Sequence, residues 1–278
     1  MSTTVPVREA EQTEIKAYVD FVTGAPVPVR QAMGVASLNV GSVQATTVRE
    51  DPSDFFNRAG GFGLGEPIDA NVLAKICDFY RSEGVAQGRF VIAPQLLPAD
   101  WETIVGDLNL TPGGRLVKLG CATEAVQSAT DGISALDPSL RVAKVEPHHA
   151  YEWATVMMAA FGMSGTGMID VAASCVGRPG WQQYGVWEGE RIVAVGSLFV
   201  NGDCANMFGG GTLPDSRGRG AQSALLTIRA RAALAEGCRW LVAETGAEGP
   251  GEHNTSLHNM RRAGFEPMYD RVTWLWRK

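Results

Sequence analysis

The feature that most constrains this fold is a glycine-rich loop between an apolar segment and a long segment of helical periodicity. It reads Thr212-Leu213-Pro214-Asp215-Ser216-Arg217-Gly218-Arg219-Gly220-Ala221-Gln222. A strand that enters such a loop and leaves it as a helix gathers loop amides and the free N–H groups of the first helical turn around one point. The spacing therefore predicts a phosphate-binding turn. It does not match the nucleotide-binding pattern G-x-x-x-x-G-K-[ST], because no Lys follows Gly220. It does not match G-x-G-x-x-G either.

The segments before the loop predict an antiparallel sheet. Short turns at 188–190 and 201–202 separate three strand-like segments, which we expect to be neighbours: 181–187, 191–200 and 204–212. A strand at 141–145, a helix at 147–161 and a mobile loop at 161–169 precede them. The predicted domain therefore begins near residue 140.

The segments after the loop predict a helix and a parallel strand. Apolar residues recur at helical spacing up to Gly237, which suits a helix C-terminus, and Arg229 falls off this apolar face. The apolar run 240–244 is typical of a strand with a parallel partner. A second helix is expected at 254–262 and a strand at 269–277, so the predicted order is β-α-β-β-β-α-β-α-β.

A second motif lies about forty residues beyond the loop, where Asn254 precedes a helix that ends in Gly264-Phe265. The loop itself reads R-x-x-G-x-[GA] with one departure, at Gln222. Together the two motifs resemble the acyl-coenzyme A site of the GNAT N-acetyltransferase superfamily. The resemblance implies a mixed α/β fold in which a pantetheine arm slots between two splayed parallel strands, and it implies acetyl-CoA or another acyl-CoA as co-substrate.

The resemblance also implies which residues hold the donor. They are Gly211, Thr212, Leu213, Arg217, Gly218, Arg219, Gly220, Ala221, Gln222, Asn254, Ser256 and Asn259. Two readings stay open at several of them, because loop arginines are often only solvated and Asn is a favourable helix N-cap in any protein. A tyrosine that protonates the departing thiolate is common in the family four residues before the final glycine. Met260 stands there instead.

The catalytic assignment rests on Glu244, at the carboxyl end of the predicted parallel strand. We predict that Glu244 is the general base; the alternative is a carboxylate that caps the following loop. The resemblance implies that a backbone N–H near Gly211 is the oxyanion donor. His253 and His258 flank the second motif and either take part in proton transfer or are surface side chains. No group of His, Cys or acidic residues has metal-ligand spacing, so no metal is predicted.

Aromatic and sulfur-containing side chains are candidates for an acceptor pocket, although core packing explains both sets equally well. The aromatic candidates are Trp181, Tyr184 and Trp187, and the methionines are Met157, Met158, Met163 and Met168.

The first half of the chain loosely repeats the second, with a period near 150 residues. The glycines at 60–63, a helix at 69–83 closed by Gly84, a strand at 89–93, a helix at 99–108 and a strand at 115–120 match elements of the second half. Acidic residues replace the phosphate-binding pattern before that helix and would repel a pyrophosphate. We therefore predict two tandem GNAT-like domains, each a mixed, mostly antiparallel sheet flanked by helices: a degenerate copy at 1–125, a linker at 126–139 and an acyl-CoA-binding copy at 140–278.

Composition limits the partners. The net charge of −6 argues against a nucleic-acid or anionic-membrane surface, which needs a basic footprint. No apolar stretch approaches a signal core or a membrane span, so we expect a cytoplasmic protein. The five cysteines are widely spaced, and we expect buried, reduced thiols.

Two functions from different classes follow from these patterns. The first is an N-acyltransferase that moves an acyl group from a pantetheine thioester to a small-molecule amine. The second is a coenzyme-binding regulatory or scaffold module that has lost catalysis. An acyl carrier protein presents the same pantetheine arm, so a carrier-tethered donor is a variant of the first function.

Overall fold

The computed structural model describes residues 4–128, 131–163 and 165–278. Residues 1–3 of the first predicted domain, 129–130 of the predicted linker and Ser164 of the predicted loop lie outside them. Within the described ranges the helices are α1 (Val7–Thr23), α2 (Val27–Ala32), α3 (Ala70–Ser82), α4 (Trp101–Asp107), α5 (Thr123–Ser128), α6 (Ala150–Ala160), α7 (Thr166–Ala173), α8 (Ala221–Ala235) and α9 (Thr255–Arg262).

The strands in the same ranges are β1 (Val35–Val40), β2 (Val43–Val48), β3 (Arg58–Gly60), β4 (Gln87–Val91), β5 (Thr111–Ala122), β6 (Leu140–Lys144), β7 (Trp181–Glu188), β8 (Arg191–Asn201), β9 (Cys204–Thr212), β10 (Trp240–Gly246) and β11 (Glu266–Arg277). They form one mixed sheet in the order β1-β2-β3-β4-β11-β5-β10-β9-β8-β7-β6. The predicted α/β class with a mixed, mostly antiparallel sheet is confirmed, and the strands of the two halves join into a single sheet.

The two halves exchange their last strands at the centre of this sheet. Strand β5 of the first half pairs antiparallel with β10 of the second half, from Ala122 opposite Trp240 to Leu116 opposite Gly246. Strand β11 of the second half pairs antiparallel with β4 of the first half and also with β5. Periodicity predicted equivalent strands but not this exchange, because both last strands carry similar patterns and fit either neighbour.

Glycines set both ends of α8 as the sequence predicted. Gly220 precedes the helix at φ 82° and Gly237 follows it at φ 80°, a left-handed conformation that glycine adopts without steric cost. Arg229, which falls off the apolar positions of α8, is nevertheless buried, with 3% of the residue exposed. A guanidinium among apolar residues gives no periodicity signal of burial, because its burial depends on acceptors supplied by other strands.

The predicted loop at 161–169 is also wrong in its second part, where α7 begins at Thr166. Met168, Val171 and Ala172 are buried on one face of this helix, a spacing that favours a helix once a core is present to receive it. Gly167 weakens the helical pattern in the sequence. The structure requires a glycine there, because a side chain would collide with Met33.

Helix α1 of the first half crosses the sheet and packs on the second half. The ring of Phe21 lies 4.9 Å from that of Phe208 on β9 and 6.0 Å from that of Trp181 on β7. Helix α8 packs on β8 and β9, with Leu226 and Ala230 in the core that includes Leu198. The first half thereby supplies one wall of whatever site the second half forms.

All five cysteines are buried free thiols, as predicted. Burial raises the pKa of Cys204 to about 12 and that of Cys238 to about 11, so neither is a reactive thiolate at neutral pH. In the described part of the chain, no helix combines the length and the apolar character needed to cross a bilayer.

Candidate functional site

The site begins where two parallel strands separate. Residues 204–206 of β9 pair with residues 240–242 of β10. Beyond these residues β9 continues to Thr212 and β10 to Gly246 without pairing with each other. One edge of β9 after Asn206 therefore lacks a strand neighbour. The gap is part of a cleft of about 1230 Å³ that both strands, the glycine loop and α9 line.

A bulge shapes β9 at the mouth of the gap. Val195 of β8 lies opposite Gly211 and Ser197 lies opposite Phe208, so Gly209 and Gly210 are both accommodated opposite Gly196. A Cβ at Gly211 would lie 2.6 Å from the Ala160 Cβ, which excludes any side chain there without a shift of α6. Glycine at position 211 therefore lets α6 pack closely on β9, and Gly209, Gly210 and Gly211 all line the cleft.

Arg229 supports the bulge from below. Its Nη1 donates to the carbonyls of Ser197 at 3.0 Å and Phe208 at 3.5 Å, and its Nε donates to Leu225 O at 3.0 Å. A Cβ at Gly196 would lie 2.9 Å from the guanidinium carbon. Burial lowers the pKa of Arg229 to about 10, so the group remains charged at neutral pH. Among the described residues, no carboxylate forms an ion pair with it.

The glycine loop offers unpaired backbone donors. Across the described ranges, the N–H groups of Gly218, Gly220, Ala221 and Gln222 have no protein acceptor, and α8 has no side-chain cap. These groups stand at the N-terminus of a 15-residue helix, whose dipole favours an anion. The loop residues that line the cleft are Gly211, Thr212, Ser216, Arg217, Gly218, Gly220, Ala221 and Gln222.

The structure separates the two loop arginines. Arg217 lines the cleft and its Nε donates to Thr212 O at 3.3 Å. Arg219 lies outside the lining, where its three nitrogens contact Asp137, Glu188 and Ser139. Leu213 is also outside the lining, with its backbone N–H donating to Val193 O. Arg217 therefore faces the cleft, whereas Arg219 connects the loop to Asp137, Ser139 and Glu188.

Gln222 links the two sequence motifs. Its Nε2 donates to Ser256 Oγ at 2.9 Å, and its Oε1 accepts from Asn259 Nδ2 at 2.5 Å. Asn254 caps α9 through bonds from the Ser256 and Leu257 N–H groups, and its own Nδ2 donates to Gly246 O at 2.7 Å. All four side chains line the cleft. The departure from the family pattern at Gln222 thus fixes α9 against the loop.

Glu244 lines the cleft at the end of β10 and is held by two arginines. One carboxylate oxygen accepts from Arg271, and the other lies 3.5 Å from Arg58 Nη2. Burial alone would raise its pKa, but Arg271, Arg58 and Lys118 outweigh burial and hold the pKa below its usual value. Glu244 is therefore an ionised carboxylate of reduced basicity at neutral pH, and its role as general base stays a prediction.

Buried charges from both halves surround Glu244. Glu14 on α1 accepts from Arg271 and Lys118, and Glu11 accepts from Arg271 Nη1 at 2.5 Å. The three acidic groups are balanced by three basic ones: Glu11, Glu14, Glu244, Arg58, Lys118 and Arg271. Because Arg271 belongs to the exchanged strand β11 and Glu14 belongs to α1, this network depends on the joined sheet.

An apolar wall from the first half faces the open edge of β9. Tyr18, Phe55 and Phe56 line the cleft together with Met157, Met158 and Met163. The Arg58 guanidinium carbon stacks 3.7 Å from the centre of the Tyr18 ring. No local motif pointed to these aromatic residues, because only the position of α1 across the sheet brings them to the second half.

Other predicted candidates pack elsewhere. Trp181 and Trp187 belong to one hydrophobic core, with Met168, and Tyr184 belongs to another. Core packing, the alternative reading, therefore describes them. Met260 lines the cleft and is buried, so the place of the usual tyrosine is apolar.

A group of possible metal ligands lies at the rim of the cleft. Side-chain atoms of Glu248, His253 and His258 all lie within 4.8 Å of one another. The two histidines were candidates from the sequence and Glu248 was not, because the three residues are spread over eleven residues of loop and helix. The E-x4-H-x4-H spacing could have suggested the group.

The comparisons with known proteins bear on the fold. No family model matches the sequence, and no curated protein matches it. A GCN5-related N-acetyltransferase from Kribbella flavida has a similar structure, with a TM-score of 0.62 at 14% identity, covering 95% of this chain and 94% of that one. A GCN5-related N-acetyltransferase from Sphaerobacter thermophilus gives a TM-score of 0.60 at 13% identity, over 99% and 95% of the two chains.

A tandem protein is also similar along its whole length. It is described as a tandem GNAT protein from the clavulanic acid biosynthesis pathway, without AcCoA, and it gives a TM-score of 0.58 at 12% identity over 98% and 97% of the chains. The splayed strands and the glycine loop at the start of α8 lie where the sequence predicted them. This chain therefore has the tandem fold of the GNAT N-acetyltransferase superfamily, as its sequence motifs predicted.

Proposed function

We propose that this protein is an N-acyltransferase that transfers an acetyl or other acyl group from acyl-CoA to the amine of a small molecule within a ternary complex. The observation that carries the proposal is the continuity of one cleft. It runs from the unpaired amides at the start of α8, along the open edge of β9, to the Glu244 carboxylate and the apolar wall of the first half.

The residues present suit the donor. Gly218, Gly220, Ala221 and Gln222 offer N–H groups for a pyrophosphate, and Arg217 adds a positive charge beside them. The open edge of β9 offers backbone groups to an extended pantetheine arm, in the manner of an added strand. Asn254, Ser256 and Asn259 face the same cleft from α9. When bound, the thioester supplies an activated acyl carbon.

The chain positions that carbon near the bulge. Because Gly209, Gly210 and Gly211 line the cleft, a backbone N–H of this segment can donate to an acyl carbonyl bound beside it. Arg229 fixes the bulge by bonding the carbonyls of Ser197 and Phe208. The developing negative charge thus meets donors whose position is set before the reaction.

The acceptor amine enters from the wall formed by Tyr18, Phe55 and Phe56. Glu244 is the proposed proton acceptor, directly or through water. Its depressed pKa makes it a weak base, so its fixed negative charge also serves to attract and orient the amine. Met260 donates no proton, so the departing thiolate takes its proton from solvent.

The function is tested by thiol release. Purified protein is mixed with acetyl-CoA and a panel of small amines, and the free thiol and acylated amine are measured by mass spectrometry. We expect amine-dependent release at matching stoichiometry. Coenzyme binding without release for any amine would overturn the transferase proposal and support a coenzyme-binding module, which the apolar residue at Met260 favours.

A further inference from the structure

We propose that Glu248, His253 and His258 bind a divalent transition-metal ion of the zinc class at the rim of the cleft. Two imidazole nitrogens and one carboxylate oxygen form the donor set, and these atoms already lie within 4.8 Å of one another. Zinc sites in proteins use this combination of ligands. The proposal concerns an ion that fixes a loop, and it stands independently of the acyl transfer.

The backbone brings the three side chains together. Glu248 follows β10 and His253 precedes α9, while His258 lies on the first turns of α9. The loop between them turns at Gly251, at φ 80°, and is closed by the Gly249 N–H donating to Glu252 at 2.8 Å. The rings of His253 and His258 consequently stack with their centres 4.4 Å apart.

Both rings face one carboxylate. His258 Nε2 lies 2.9 Å from Glu248 Oε1, and His253 Nδ1 lies 3.9 Å from the same oxygen. One nitrogen of each imidazole thus lies beside the same carboxylate oxygen, and a single cation can share all three atoms.

The Glu248 carboxylate is already held in place by a backbone hydrogen bond. Glu248 Oε1 accepts a hydrogen bond from the Asn254 N–H at 2.6 Å, an outer contact of the kind that positions metal ligands. Ligand atoms in a tetrahedral zinc site lie about 3.4 Å apart, from bond lengths near 2.1 Å. The 2.9 Å between His258 Nε2 and Glu248 Oε1 must therefore lengthen, and the 3.9 Å between His253 Nδ1 and the same oxygen must shorten, each by about 0.5 Å. This movement is open to side chains that are 67%, 38% and 27% exposed at His253, His258 and Glu248.

The second histidine pair provides a comparison within the same chain. The ring centres of His148 and His149 lie 4.1 Å apart, and His149 Nδ1 lies 3.3 Å from Glu152 Oε2. These three residues have the same chemistry but do not converge on a common point in the described structure. They serve as the matched control for adventitious binding by surface histidines.

The experiment is calorimetric titration of chelator-treated, full-length protein with ZnCl₂, in the absence of coenzyme. We expect one ion per chain, and a loss of affinity of about tenfold or more in H253Q and in H258Q, with H149Q unchanged. Co²⁺ in place of Zn²⁺ should give the visible absorption of a four-coordinate site in the wild type and in H149Q. Absence of saturable binding, or equal affinity in wild type, H253Q and H258Q, would overturn the assignment.

Discussion

Replacing Arg229 by methionine tests whether the bulge of β9 is held from beneath. The variant removes the donors to Ser197 O and Phe208 O, and each buried carbonyl left without a donor costs about 1–3 kcal/mol. Against this, the fall of the Arg229 pKa to about 10 reflects a burial cost of roughly 3 kcal/mol that the neutral side chain does not carry. The net change in stability is therefore small, between a gain of about 1 kcal/mol and a loss of about 3 kcal/mol.

The effect on turnover should be larger than this change in stability implies. A bulge displaced by about 1 Å misaligns the backbone donors at Gly209 to Gly211, and we expect kcat to fall by about 100-fold. The assays are urea unfolding and thiol release at saturating acetyl-CoA. Arg231 on the same helix is half exposed, so R231M is the matched control. If R229M kept both the stability and the kcat of the wild type, the proposed support of the bulge would be refuted.

Two further predictions concern charge. The pKa of Glu244 is held below its usual value, so its ion pairs stabilise the fold above the unfolded-state pKa, and this stability is lost as the pH falls through the folded-state pKa. E244Q should lower the free energy of unfolding, measured with urea, by about 3 kcal/mol from pH 6 to 9. The difference in unfolding free energy from wild type should shrink below about pH 4.5. A difference that stays constant down to about pH 3 would contradict the ion pairing of Glu244. R217M should weaken coenzyme binding in a salt-dependent way, measured by calorimetry. R219M should lower the thermal midpoint and leave coenzyme affinity unchanged, because Arg219 pairs with Asp137 and Glu188. Equal loss of affinity in both variants would contradict the different roles given to the two arginines.

Local patterns predicted most of the second half. The turns at 188–190 and 201–202, the strands they join and the glycine-bounded helix α8 all follow from residues close in sequence. The parallel pairing of β9 with β10 followed from the apolar run 240–244. These features depend on neighbouring residues, which a single sequence displays directly.

Features that depend on distant residues were not predictable. The exchange of β5 and β11 places Arg271 and Lys118 beside Glu244, and no local pattern distinguishes an exchanged strand from one that stays with its own half. Helix α7 could not be predicted, because Gly167 is explained only by its close packing against the distant residue Met33. The burial of Arg229 likewise depends on carbonyls of β8 and β9 that the bulge leaves available.

The candidate site divides in the same way. Most residues of the two sequence motifs line the cleft, although Arg219 and Leu213 lie outside the lining. Of the predicted acceptor-pocket residues, Met157, Met158 and Met163 line it. The sequence did not point to Tyr18, Phe55 and Phe56, which come from α1 and the segment after β2. The first half of the chain therefore contributes a wall of the cleft.

The most direct test of the central claim is coenzyme binding to Q222E, measured by calorimetry. The substitution keeps the size of the side chain and its acceptor for Asn259, and adds one negative charge where the pyrophosphate is proposed to lie. Q87E, at an exposed contact with Arg277 far from the cleft, is the isosteric control. We expect acetyl-CoA affinity to fall by about tenfold or more in Q222E, equivalent to at least about 1.4 kcal/mol, and to be unchanged in Q87E. Equal affinity in wild type and Q222E would contradict the assignment of the loop as the phosphate cradle.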